Sequence, residues 1–190
     1  AHILATEGVA MMFERLTKRS AFLVKMGLPV DDPKKFDESA AMNLRHRLLI
    51  FSRWCQVMLR FEKAMYENPD QNLNELWWKL VSKYQGINKP TGRNMPDYAS
   101  KIHIVSAPVY YHNYMLGELF ASQLHHSIVR QLYTGKNPDE VFYAENPKVG
   151  DYMKTRVFNL GRTLSWGRMV EFATGSPLAA DSFAKDFQGK

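Results

Sequence analysis

The stretch LRHRLLIFSRWCQVMLRFEKAMYENPD, residues 44–70, decides the fold class of this 190-residue chain. Its large apolar side chains recur at the spacing that places them on one face of an α-helix. The recurring residues are Leu44, Leu48, Phe51, Trp54, Met58, Phe61 and Met65. Because proline cannot continue a helix, Pro69 ends the pattern, and residues 36–68 are predicted to form one long helix.

The segments on either side of this helix show the same periodicity. A first helix is predicted over residues 5–26, with Thr6 as its cap and Gly27 and Pro29 as its stop. A shorter helix is predicted over residues 72–86, with Gly86 at its C-terminal end. Further helices are predicted over residues 108–133, 148–160, 165–174 and 178–187, and a loop over residues 87–100. The predicted fold is all-α, with about six or seven helices in a single domain spanning residues 1–190.

Composition and charge narrow the classes of function. Hydrophobic residues make up 45% of the chain and charged residues 23%, as in ordinary globular proteins. The net charge of +6 comes from scattered Lys and Arg without a long basic run, so nucleic-acid binding is not predicted. The single cysteine, Cys55, excludes an internal disulfide framework. No apolar run approaches the roughly 18 residues of a transmembrane segment.

One segment, SKIHIVSAPVYYHNYMLGELFASQLHHS at residues 100–127, gathers a cation, an imidazole and several phenols. Residues 101–106 alternate and are predicted to be extended, which would place Lys101 and His103 on the same face. Tyr111 and Tyr114 are neighbours on the helix that follows. Such a group could hold a carboxylate and stabilise an oxyanion. Aromatic packing around a Lys side chain is the alternative.

Other titratable residues give weaker signals. Glu7 lies in the first helical turn among small and apolar neighbours, where it is either a favourable anion at a helix N-terminus or a metal ligand. His125 and His126 are adjacent, so they diverge on a helix, and one is predicted to be packed and the other exposed. Cys55 is predicted to be a core residue. The sequence contains no H-E-x-x-H, C-x-x-C, G-x-S-x-G or phosphate-binding glycine motif.

The order of these segments resembles a known family. The blocks NELWWKLVSKYQG and KIH, a proline and a Tyr cluster, and then SWGRMVEFATGSP are similar to the angiotensin-converting-enzyme family of zinc dipeptidyl carboxypeptidases. The helix that carries TEG is similar to the one that bears the family's third zinc ligand. The resemblance extends over nearly the whole chain and matches the C-terminal part of such an enzyme. It implies one lobe of a larger helical zinc peptidase.

The resemblance also implies a role for each candidate residue. Glu7 would be a zinc ligand. Lys101, assisted by Tyr111, would bind the C-terminal carboxylate of a peptide substrate. His103 would hydrogen-bond the peptide backbone, and Tyr114 would donate to the oxyanion. A fixed cation about two residues beyond the cleaved bond would make the enzyme release dipeptides.

Several departures from the family accompany this resemblance. The H-E-x-x-H that supplies two zinc ligands and the general base is absent from this sequence, so the chain alone is expected to be an inactive fragment that needs the N-terminal part of a longer protein. The segment from His103 to Tyr111 is one residue longer than the family's. Asn113 stands where the family often has a chloride-linked Arg, Met11 where it has an acidic residue, and Glu118 where it has an apolar pocket residue.

Two other functions stay open at this point. One is a helical domain that keeps the peptide groove but binds peptide without a metal. The other is a basic helical module for an acidic surface or nucleic acid, which a steep salt dependence of binding would reveal. The start AHILATEG lacks an initiator Met, so we expect a processed product or a piece of a longer chain. The family resemblance suggests an extracytoplasmic or periplasmic location, which the residues themselves do not specify.

Overall fold

The computed structural model describes residues 2–144 and 146–188. Over the described residues it is 68% helical, without strands, and has nine α-helices, six of them with seven residues or more. The helices are α1 Ile3–Leu16, α2 Ser20–Lys25, α3 Pro33–Glu67, α4 Leu73–Gln85, α5 Ile102–Val105, α6 His112–Leu132, α7 Pro147–Met153, α8 Trp166–Thr174 and α9 Asp181–Lys185. The prediction of an all-α fold is confirmed.

The contacts of the chain divide it into two compact units. The first unit comprises residues 1–45 and 116–190, and the second comprises residues 46–115. Helices α3 and α6 each contribute residues to both units. Each unit has a core of its own, and each is described separately below.

The long helix α3 has the face that its periodicity predicts. Leu48, Met58 and Phe61 are almost completely buried, and Cys55 is a buried core residue as predicted. In the second unit, the Phe61 ring packs edge-on against Trp77 of α4, with ring centroids 5.1 Å apart. This pair fixes α4 along α3.

Helix α4 begins and ends at the residues that the sequence indicates. The Asn72 side chain accepts a hydrogen bond from the Glu75 backbone N–H at 3.1 Å, which caps the first turn. Gly86 ends the helix with φ at 69°, a left-handed conformation that glycine adopts without steric cost.

Three local predictions are wrong. The predicted helix over residues 5–26 is broken at residues 17–19, and His2 caps its start in place of Thr6. Residues 102–105 form a turn of helix, so the segment 101–106 is not extended. Helix α6 begins at His112, later than Pro108. The reason for the late start is Val109, whose φ of 55° does not belong to a right-handed helix.

Helices α1 and α6 approach closely in the first unit because two glycines meet. A Cβ added at Gly8 would lie 2.7 Å from Cδ1 of Phe120 and 3.0 Å from the Gly117 carbonyl oxygen. A Cβ added at Gly117 would lie 3.0 Å from the Glu7 Cβ. A larger residue at either position would have to displace these neighbouring atoms.

We expect Gly8→Ala to destabilise the chain by about 1–3 kcal/mol, the usual cost of overpacking a well-packed contact. Gly150 of α7 is the matched control, because a Cβ there would meet nothing within 4 Å. Gly150→Ala should stabilise by about 0.5–1 kcal/mol through helix propensity. Urea unfolding of the two variants measures both effects. Equal effects of the same sign would contradict the close approach of α1 and α6.

A buried ionic network holds the C-terminal segment to α1 and α6 within the first unit. Arg15 donates to Glu118 at 2.6 Å and to Asp186 at 3.0 Å. Asp186 also accepts from Ser122 at 2.6 Å and lies 2.9 Å from Nε2 of His126. Burial alone would raise the pKa of Asp186, but the hydrogen bonds from His126 and Ser122 and the charge of Arg15 bring that pKa below its usual value.

A search for transmembrane segments gave no candidate. Among the helices of residues 2–144 and 146–188, none combines the length and the apolar character needed to cross a bilayer.

Candidate active site

The second unit brings an imidazole and two phenols into direct contact. His103 of α5 and Tyr114 of α6 share a hydrogen bond, with 3.0 Å between Nε2 and Oη. The Tyr111 ring packs against both, with ring centroids 4.9 Å from His103 and 5.0 Å from Tyr114. Tyr110 also stacks beside this group, 5.8 Å from the His103 ring and 5.3 Å from Tyr114. Of the five predicted site residues, His103, Tyr111 and Tyr114 are therefore brought together.

Lys101 joins this group through an aromatic residue of α3. It stands just before α5, and its Nζ lies 5.5 Å from the centroid of the Trp54 ring, within reach of a cation–π interaction. Trp54 in turn donates from Nε1 to the Tyr111 hydroxyl at 2.8 Å. Trp54 therefore links the cation to the phenols. The sequence indicated Trp54 only as part of an apolar stripe.

The environment of Tyr111 keeps its hydroxyl protonated. Burial raises the pKa of Tyr111 to about 12, and the hydrogen bond from Trp54 only partly opposes this effect. A phenol with such a pKa is neutral at physiological pH. Tyr111 can therefore donate a hydrogen bond to an anionic group.

A cleft of about 810 Å³ opens beside Lys101. Its walls are aromatic and apolar side chains of α3 and α4 and residues of the loop between α4 and α5; they include Trp54, Trp77, Trp78, Val81, Met95 and Lys101. The loop is held by Asp97, which accepts from Nε1 of Trp78 at 3.0 Å and pairs with Arg93. The hydrogen bond from Arg93 keeps the pKa of Asp97 below its usual value. The volume suits an extended peptide segment or a few side chains.

Glu7 lies in the first unit, half-buried on α1 beside the Gly8–Gly117 contact. A carboxylate is a suitable zinc ligand, but a catalytic zinc site needs three protein ligands. Among residues 2–144 and 146–188, no three His, Cys, Asp or Glu side chains are grouped so that they could hold a metal ion. Glu7 is therefore not part of a group of metal ligands within the described residues.

Four other residues singled out by the sequence lie in structural positions. Glu118 is buried and paired with Arg15, so it does not line a pocket. Asn113 is buried in the second unit, where its Nδ2 donates to the Tyr110 carbonyl at 3.0 Å. His125 and His126 are both partly buried and hydrogen-bonded, so the prediction that one of them is exposed is wrong.

His125 is held neutral in the first unit. Its Nε2 donates to the Pro138 carbonyl at 3.0 Å, which leaves Nδ1 to accept from the Tyr143 hydroxyl. Burial lowers the pKa of His125 to about 4. The hydrogen bond to the Pro138 carbonyl favours the protonated ring, but it only partly opposes the effect of burial.

This low pKa predicts a loss of stability in acid. The unfolded chain takes up a proton on His125 near its ordinary pKa of about 6.5, whereas the folded chain does not until about pH 4. The stabilising effect is therefore complete above pH 6.5 and is lost as the pH falls from 6.5 towards 4, by about 3 kcal/mol in all. Urea unfolding as a function of pH measures it. If His125→Gln and the unsubstituted chain lose stability in parallel over this range, the assignment is wrong.

Comparison with known proteins gives the family. A family model described as angiotensin-converting enzyme matches residues 55–188, more than two thirds of the chain. The chain belongs to the angiotensin-converting enzyme family. It is 30% identical over 110 residues to angiotensin-converting enzyme of Rattus norvegicus and 23% identical over 119 residues to that of Theromyzon tessulatum.

The matches to these angiotensin-converting enzymes cover part of each protein. The match to the Rattus norvegicus protein covers 56% of this chain and 8% of that protein. The match to the Theromyzon tessulatum protein covers 62% of this chain and 19% of that protein. The matched range contains Lys101, His103, Tyr111 and Tyr114, but it begins after Glu7. The match therefore covers less of the chain than the sequence blocks suggested. It lies in the second unit and in the helices that follow it.

Proposed function

We propose that this chain is the C-terminal portion of a zinc metallopeptidase that hydrolyses peptides and releases C-terminal dipeptides. The observation that supports this most is the contact between His103 and Tyr114, 3.0 Å apart, within the range that matches a peptidase family. A phenol oriented by an imidazole is suited to donate to an oxyanion, the charge that forms when a peptide carbonyl is attacked.

In this proposal, His103 and Tyr114 act at the cleaved bond. His103 hydrogen-bonds the substrate backbone and, as the Nε2–H tautomer, donates to the Tyr114 oxygen. Donation in this direction leaves the hydroxyl proton of Tyr114 for the developing oxyanion. The pair thus stabilises the charge of the transition state more than that of the bound peptide.

Lys101 and Tyr111 recognise the end of the substrate. The Lys101 ammonium stands over Trp54 beside the cleft, and Tyr111 is neutral and linked to Trp54. Together they would bind the C-terminal carboxylate of the peptide with charge-assisted hydrogen bonds. The distance from this carboxylate to Tyr114 then determines which peptide bond is cleaved.

The metal would require residues from outside this sequence. Glu7 fits as one zinc ligand by its chemistry, and its partners would belong to an H-E-x-x-H helix in a longer chain. Zinc, when bound, would polarise the peptide carbonyl and activate water. The isolated chain is proposed to be inactive for this reason.

Peptide hydrolysis by a chain extended upstream of Ala1 to include an H-E-x-x-H helix tests the proposal. The extended chain is incubated with a decapeptide of defined sequence, with and without a chelator, and the products are identified by mass spectrometry. We expect dipeptides from the C-terminus, lost with the chelator and with Glu7→Gln but not with Glu14→Gln. No cleavage by the zinc-loaded, folded protein would favour a helical peptide-binding domain without catalysis.

A further inference from the structure

The backbone between α5 and α6 is strained at one residue. Val109 has a φ of 55°, a region that β-branched residues avoid because Cβ crowds the neighbouring carbonyl. Its side chain is 62% exposed, so packing of the side chain does not explain the conformation. Another contact must hold this backbone.

The contact comes from Glu62 of α3, in the same unit. Oε1 of Glu62 accepts a hydrogen bond from the Val109 backbone N–H, with 2.5 Å between nitrogen and oxygen. Glu62 is only 7% exposed, although a buried carboxylate is costly unless it is compensated. Its second partner is the Tyr66 hydroxyl, 3.3 Å away on the next turn of α3. The Glu62 carboxylate is thus hydrogen-bonded to the backbone of the strained residue.

Val109 connects the two halves of the candidate active site. His103 precedes it on α5, Tyr111 follows it just before α6, and Tyr114 lies in the first turn of α6. The His103–Tyr114 hydrogen bond therefore depends on the path of the short segment 106–111. A relaxed Val109 would turn this segment in another direction and change where α6 begins.

We infer that Glu62 is a positioning residue for the His103–Tyr114 pair, acting through the backbone N–H of Val109. The inference rests on the proposed function for its catalytic consequence, but the positioning itself is a property of this chain. The motifs of the sequence do not point to Glu62, because its carboxylate contacts the Val109 backbone and the Tyr66 hydroxyl and none of the five predicted site residues.

The test measures the His103–Tyr114 hydrogen bond directly. The imidazole nitrogen chemical shifts of His103 are recorded by NMR in the 190-residue chain and in Glu62→Met, which keeps the side-chain length but removes the acceptor. We expect Glu62→Met to move the His103 shifts to those of Tyr114→Phe, which lacks the bond altogether. Glu67→Met is the matched control, since Glu67 lies on the same helix and pairs with Lys63 on the surface. It should leave the His103 shifts unchanged.

Two further variants separate positioning from simple stability. Val109→Gly adopts the left-handed conformation without strain, so in the double variant Glu62→Met/Val109→Gly we expect the His103 shifts to return towards their original values. Glu62→Gln keeps an oxygen acceptor and should give a smaller change than Glu62→Met in a folded chain. If Glu62→Met does not fold, Glu62→Gln decides: unchanged His103 shifts in this folded variant overturn the inference.

The extended chain then distinguishes this inference from the proposed function. We expect Glu62→Met to lower kcat for peptide hydrolysis about tenfold or more with little change in KM. Suppose that Glu62→Met alters the His103 shifts but the unsubstituted extended chain has no peptidase activity. This result would refute the proposed function and leave the positioning role of Glu62 intact. Normal kcat in Glu62→Met, in a chain that cleaves peptides, would overturn the inference and leave the function standing.

Discussion

Arg15→Met is expected to destabilise the chain by about 3–5 kcal/mol, the cost of leaving buried charges without their partner. Glu118 is 2% exposed and loses its ion pair with Arg15. Asp186 also loses its ion pair with Arg15 and keeps its contact with His126. The measurement is the shift in the midpoint of urea unfolding. Because the network ties the C-terminal segment to α1 and α6, the loss should also release that segment to proteolysis.

Two variants serve as controls for Arg15→Met. Arg168→Met removes an exposed Arg that pairs with Glu171 on the surface, and it should change the stability by less than about 1 kcal/mol. Arg15→Met/Glu118→Met removes both buried charges and should be more stable than Arg15→Met alone. If Arg15→Met costs no more than Arg168→Met, the buried network does not stabilise the first unit.

Tyr114→Phe in the extended, zinc-loaded chain is expected to lower kcat about 10²–10³-fold with little change in KM. The phenol is proposed to donate to the oxyanion, and one such donor accounts for an effect of this size. The shape of the side chain is preserved, so the ring contacts with His103 and Tyr111 should persist. Steady-state hydrolysis of a defined peptide measures the change.

The neighbouring tyrosines provide the comparison for Tyr114→Phe. Tyr111→Phe should raise KM more than it lowers kcat, because Tyr111 is proposed to contact the carboxylate of the substrate. Tyr110→Phe should have a small effect on both. A large loss of kcat in Tyr110→Phe with normal activity in Tyr114→Phe would show that the extra residue between His103 and Tyr111 changes the assignment of the tyrosines.

Much of the fold follows from local sequence signals. The spacing of Leu48, Met58 and Phe61 predicted α3 because a helix repeats its faces at that interval. Asn72 and Gly86 predicted the ends of α4 because both act on their own helix termini. Signals of this kind depend on residues a few positions apart.

The errors arise where distant residues determine the local structure. Residues 101–106 alternate like a strand, but the all-helical second unit offers no strand for them to pair with. Val109 adopts a positive φ with the help of Glu62, which lies 47 residues away in the sequence. Burial of the Arg15–Glu118 pair likewise depends on packing between α1 and α6. None of these contacts produces a periodic pattern of residues from which it could be predicted.

The candidate site was predictable in its members but not in its geometry. The sequence indicated Lys101, His103, Tyr111 and Tyr114, and the structure brings the last three into contact. The sequence did not indicate that Trp54 links Lys101 to Tyr111, because a Trp on an apolar stripe usually belongs to the core. The role of Glu7 stays a prediction, since no group of metal-ligating side chains is found among the described residues.

The most direct test of the proposed function compares a decapeptide that has a free C-terminal carboxylate with the same peptide as its C-terminal amide. The extended chain is incubated with each, and the products are identified and timed by mass spectrometry. We expect dipeptide release from the acid and at least about tenfold slower release from the amide, because the amide lacks the charge-assisted contact of the carboxylate. This difference should be lost in Lys101→Gln. Equal rates for the acid and the amide, with cleavage at internal bonds, would contradict the proposed function.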